Sequence, residues 1–114
     1  MNEERYKALF SLGCLPCRLI GAIVQCGKTE IHHQNLGGHA GQKRLGDDFT
    51  IPLGEYHHRG KITWNKTKAE MIEIYGPSLA YGSKPFHERF GSDAALLEKT
   101  NELLRTASQA LRAR

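Results

Sequence analysis

A chain of 114 residues can bury one modest core and is too short for two independent ones. Its residues are 39% hydrophobic and 25% charged, with 12 glycines and 4 prolines, so loops are extensive and a staple such as a metal is expected to supplement the core. A net charge of +4 is compatible with a polyanionic partner. No apolar run approaches the roughly 20 residues of a membrane helix, and "MNEERYKALF" lacks the long apolar stretch of a signal peptide; a soluble, cytoplasmic protein is expected.

Asn2 caps a helix expected through about Leu12, with Tyr6, Leu9 and Phe10 on one face and Gly13 as its stop. "CLPCRL" reads as a tight turn. Its Cys14 and Cys17, with Cys26 as a third, cannot all pair within one chain. A C-x-x-C of this kind favours metal or redox chemistry over a structural disulfide, and no βαβ context supports a thioredoxin-like reading. Alternating β-branched and polar residues predict a strand over about 28–33 that ends in His32 and His33. The glycine-rich "QNLGGHAGQKRLGDD" predicts a long loop, "FTIPL" a second strand over 49–53, and "GEYHHRG" a brief helix ending near Gly60.

From Arg59 to Lys68 the chain carries Arg59, Lys61, Lys66 and Lys68, no acidic residue, and Trp64. This strip is a candidate contact for nucleic-acid phosphates, set against the simpler reading of a solvated loop. Thr67-x-x-Glu70 forms a capping box for a helix through Tyr75, stopped by Gly76-Pro77. "YGPSLAYGSKPFHERFG" reads as a glycine-punctuated loop with at most a turn of helix at its end. Ser92 caps a final helix to about Arg112, whose Leu96, Leu97, Leu103, Leu104, Ala107 and Leu111 recur at helical spacing as core packing.

Four of the six histidines sit in two doublets, His32–His33 on the first strand and His57–His58 on the short helix. A hairpin with a helix laid across it brings the end of one doublet near the other, and neutral imidazoles converging there suit a divalent ion with an open position. Adjacent strand residues point to opposite faces, which suits a division of labour between His32 and His33: one holds metal, the other faces the substrate water as a base.

The pattern "CLPC…EIHH…GG…TIPLGEYHHRG" resembles the HNH (ββα-metal, His-Me finger) endonucleases, and more narrowly the phage Ref-type recombination-enhancement nucleases; "GPSLAYGSKPFHERFG" resembles the stretch those proteins carry downstream. The resemblance covers roughly residues 14–98. It implies His32 and His58 as ligands of a catalytic divalent ion (Mg2+, Mn2+ or Zn2+), His33 as general base, and a structural zinc on Cys14, Cys17 and His57. The implied partner is DNA. The best-known member has a long basic N-terminal extension, and only 13 residues precede Cys14 here, so a RecA filament stays a possible partner whose involvement this short lead-in puts in doubt.

Two departures stand out. The HNH asparagine has no counterpart at the start of the second strand, where Phe49 stands; Asp47 could do its orienting or ligating work. The second zinc knuckle of the family begins with a cysteine, and here that position is Gly54. In an antiparallel hairpin the start of the first strand lies opposite the end of the second, so Cys26 is expected beside Gly54 as the fourth ligand. The expectation is therefore one α+β domain over 1–114, with a zinc-stapled ββα-metal core at about 14–62, flanking helices and a long C-terminal helix at about 93–112. It would be a metal-dependent DNA endonuclease of phage or prophage origin. The alternative is a non-catalytic zinc-knuckle nucleic-acid-binding module, in which His33 would be a ligand or buried.

Overall fold

The computed structural model describes residues 3–34 and 48–112, and its elements run α1 (Glu3–Leu12), α2 (Leu15–Leu19), β1 (Thr29–His33), β2 (Thr50–Gly54), α3 (Glu55–Arg59), α4 (Lys68–Tyr75), a 3-10 turn (Leu79–Tyr81), α5 (Ser83–Phe90) and α6 (Asp93–Arg112). The class is α+β. Asp47, and with it Lys43, Arg44 and His39, lies outside the described residues.

β1 and β2 pair antiparallel, in a register that sets Thr29 against Gly54, Glu30 against Leu53, Ile31 against Pro52, His32 against Ile51 and His33 against Thr50. Thr29, Ile31, Thr50 and Ile51 suit a pleated surface. Pro52, without an N–H, is tolerated because a two-stranded sheet has only edges. The chain then passes from Gly54 straight into α3, which Gly60 ends in the left-handed conformation (φ 75°) with its N–H donated to the Tyr56 carbonyl.

Two groups of buried side chains flank this hairpin and helix. Cys14, Cys17, Cys26, Tyr56, Met71 and Tyr75 form one; Leu15, Ile51, Leu53, Phe86, Phe90 and Leu96 form the other. α2 contributes to both, with Leu15 in one and Cys17 in the other.

The capping box at the head of α4 forms as expected: Thr67 Oγ1 accepts from the Glu70 N–H at 3.1 Å, and Glu70 Oε1 accepts from the Thr67 N–H at 2.9 Å. Ser92 likewise accepts from the Ala95 N–H at 3.1 Å, heading α6.

Three expectations need correction. "CLPCRL" is not a tight turn but holds the five-residue helix α2, with proline in its first turn where a missing N–H costs nothing. The supposed loop at 75–91 contains the 3-10 turn and the eight-residue α5, bracketed by Gly82 and Gly91, both at positive φ. The leucine stripe of α6 is core only in part. Leu96 is buried and Leu97, Leu103 and Leu104 half-buried, whereas Ala107 is exposed.

Candidate functional site

Cys14, at the mouth of α2, Cys17 within it, Cys26 ahead of β1 and His57 on α3 are all buried, and their ligand atoms lie within 4.8 Å of one another. The Nδ1 atom of His57 is 3.3 Å from Cys14 Sγ, 3.7 Å from Cys17 Sγ and 3.1 Å from Cys26 Sγ, and the Cys26 and Cys14 sulfurs are 3.8 Å apart. A tetrahedral ion with bonds of about 2.3 Å to sulfur and about 2.0 Å to nitrogen sets its ligand atoms roughly 3.5–3.8 Å apart, so this donor set fits zinc.

The tautomer agrees. His57 Nε2 is 2.9 Å from the Tyr75 carbonyl, which can only accept, so Nε2 carries the hydrogen and Nδ1 presents its lone pair to the sulfurs. Burial pushes the Cys14 thiol up, while hydrogen bonds from Cys14 and Cys17 hold Cys26 down toward thiolate. A divalent cation among the four donors would favour the thiolate form of all three sulfurs, the form that ligates metal.

Gly54 explains how Cys26 reaches the cluster. A side-chain carbon on Gly54 would overlap the Cys26 sulfur and crowd Cys14. The place where the resembling family has a cysteine is therefore occupied by a sulfur from the facing strand's lead-in, as the antiparallel geometry predicts. Around the cluster, Tyr56 donates to the Gly76 carbonyl at 2.6 Å and Tyr75 to the Val24 carbonyl at 3.1 Å. Burial pushes the Tyr56 phenol up to about 12, so it stays a donor at any ordinary pH.

The remaining doublet partners assemble elsewhere. His32 lies edge-on to His58, ring centroids 5.1 Å apart, so β1 and α3 do bring these two imidazoles together. His33 sits outside the cysteine cluster and is half-buried; its Nε2 is 3.0 Å from the hydroxyl of Tyr6 on α1. Neighbouring Arg5 fastens α1 to the hairpin by donating to Thr50 Oγ1 and the Thr50 carbonyl at 2.8 and 2.7 Å, and to Asn101 of α6 at 2.9 Å.

Sequence reading took Tyr6 for one face of a packing helix, and nothing local to residue 6 reveals its histidine contact. It also passed over Glu30, whose carboxylate meets His58 Nδ1 at 3.0 Å and the Arg59 guanidinium at 2.7–3.0 Å. Here a signal was present: Glu30 is two residues from His32, hence on the same side of the strand.

The basic strip is less basic than its sequence. Arg59 pairs with Glu30 and Glu55, Lys61 pairs with Glu55 at 2.9 Å, and Lys68 lies 4.2 Å over the Tyr81 ring. Hydrogen bonds from Thr67 and the nearby Lys66 charge hold the Glu70 carboxylate below its ordinary range, and Trp64 is 93% exposed. His87 is structural, with Nδ1 2.9 Å from the Gly91 carbonyl and Nε2 3.4 Å from Asp93. Among the described residues no helix is long and apolar enough to cross a membrane.

A family model described as "Recombination enhancement, RecA-dependent nuclease" matches residues 1–105 of the chain. Comparison with curated proteins and with solved structures gives no match.

Proposed function

The chain belongs to the recombination-enhancement, RecA-dependent nucleases, and from that premise we propose that it is an HNH-type, metal-dependent DNA endonuclease. The observation that supports this reading is that the two doublets divide among three different surroundings. His57 joins three cysteines, His32 and His58 face each other across β1 and α3, and His33 stands apart from both. A purely structural zinc module would have no use for that third arrangement.

In this reading His32 and His58 hold a divalent ion, which when bound supplies positive charge at the scissile phosphate and the departing 3′ oxygen. His33 takes a proton from the attacking water. When its Nε2–H donates to the Tyr6 hydroxyl, Nδ1 holds the lone pair that takes the proton from water. Tyr6 thereby orients the base, the work that the absent HNH asparagine would otherwise do. Lys66 and Trp64, with Arg59, Lys61 and Lys68, form the surface offered to the DNA backbone. The RecA dependence in the family's description extends to this chain as part of the proposal: RecA-coated DNA is the expected substrate.

The test is incubation of supercoiled DNA, single-stranded DNA and RecA-coated DNA with the protein and Mg2+, Mn2+ or Zn2+. Wild-type protein is expected to cut at least the RecA-coated form, and His33→Ala to lower the rate by about 10²–10⁴ with zinc content unchanged. Binding without cleavage under every condition would return the protein to the zinc-knuckle module.

A further inference from the structure

Among the described residues Glu30 sets its carboxylate against His58 of the His32–His58 pair, and both of its oxygens are already engaged. Oε1 receives His58 Nδ1 at 3.0 Å and Arg59 Nε at 2.9 Å; Oε2 receives Arg59 Nε at 3.0 Å and Nη2 at 2.7 Å. A carboxylate so occupied is poorly placed to bind an ion itself. It is well placed to orient something that does.

We propose that Glu30 is a positioning residue for the hydrolytic site, holding His58 as the Nδ1–H tautomer so that Nε2 is the nitrogen offered to the divalent ion, with Arg59 fixing the carboxylate. This rests on the reading of His58 as an ion ligand. The chemistry is restrictive: an ionised carboxylate has no hydrogen to donate, so His58 Nδ1 must carry one. The Arg59 guanidinium donates to both Glu30 oxygens, so the carboxylate is the accepting partner toward His58. Neutral His58 then has its lone pair at Nε2 alone. Ion-ligating histidines commonly gain orientation and basicity from such a carboxylate on their other nitrogen, and loss of it lowers metal affinity by about 10–100-fold.

The placement also follows from the sequence. Glu30 shares a strand side with His32, and Arg59 follows His58 on α3. One carboxylate thus ties the strand ligand's neighbour to the helix ligand. Arg59, a candidate phosphate contact from sequence, also braces the site's own scaffold through Glu30.

The experiment uses the zinc-loaded full chain labelled with 15N in its histidine rings, His58 being assigned by its loss in His58→Gln. Wild-type His58 is expected to show the Nδ1–H pattern, and Glu30→Ala to lose it. Mn2+ alone, titrated while its paramagnetic broadening of the His32 and His58 rings is followed, should bind Glu30→Ala about 10–100-fold more weakly than wild type. Glu30→Gln, which keeps an acceptor oxygen, should fall between them, and zinc content should match wild type in both variants. An Nε2–H pattern in wild type, or Mn2+ affinity unchanged in Glu30→Ala, overturns the proposal. A protein that shows the tautomer and Mn2+ binding but cuts no DNA refutes the nuclease reading and leaves the role of Glu30 standing.

Discussion

The two histidine-bearing clusters lie one residue apart on α3 and differ in almost every physical respect. His57 turns inward to three sulfurs, fully buried, with its outer nitrogen on a backbone carbonyl. His58 meets His32 and Glu30 at a side-chain exposure of about a quarter, with its outer nitrogen on a carboxylate. The first set is buried, and its four donors match the number that a closed structural zinc site takes. The second set is partly open to solvent, and an open position of that kind is what the hydrolytic ion of the proposed function would need. A five-residue helix can serve both because successive residues on it diverge by about 100°.

The contrast breaks most violently at the closed cluster. Metal removal by a strong chelator is expected to unfold the domain, since binding free energy at such sites is folding free energy, about 10–16 kcal/mol in small zinc modules. Cys26→Ser should destabilise as much as Cys14→Ser and release zinc at lower chelator concentration, as read by circular dichroism with a colorimetric zinc indicator. If Cys26→Ser kept its zinc against the chelator while Cys14→Ser lost it, the fourth ligand would not be Cys26.

Gly54→Ala sharpens the same point with a single carbon. The Gly54 backbone (φ −68°, ψ 162°) suits any residue, so strain in φ and ψ is not the issue; the added carbon collides with the Cys26 sulfur. Overpacking of this kind costs about 1–3 kcal/mol, measurable by urea unfolding of the zinc-loaded protein. Unchanged stability would mean that the sulfur does not occupy that space.

The smallest expected effect separates the cations of the basic strip. Lys66→Ala should flatten the salt dependence of DNA binding by about one unit of slope without changing sequence preference. Lys61→Ala should change it less, because Glu55 already neutralises Lys61. Equal effects would show that the ion pair opens on DNA.

Much of this was legible in the chain. The Thr67–Glu70 capping box, the Ser92 cap and the two β-branched strands carry local signals strong enough to survive folding. Cys26 was legible for a different reason: antiparallel pairing sets Thr29 against Gly54 and so carries the lead-in to β1, with Cys26, alongside it. α5 was hidden by the glycines that bracket it. They mark its ends, at positive φ, yet in sequence they read as loop. The strip from Arg59 to Lys68 looked uncompensated because its acidic partners, Glu30 and Glu55, lie outside it in sequence. Tyr6 gave no sign at all, since its contact with His33 depends on how α1 crosses the hairpin.

The central claim, that adjacent histidines on α3 serve two separate sites, is tested most directly by zinc stoichiometry and Mn2+-dependent cleavage of RecA-coated DNA, both taken on the same preparation of His58→Ala. The account predicts one zinc retained per chain, a fold indistinguishable from wild type, and cleavage lost. Loss of the zinc, or cleavage at the wild-type rate with zinc in place, would contradict it.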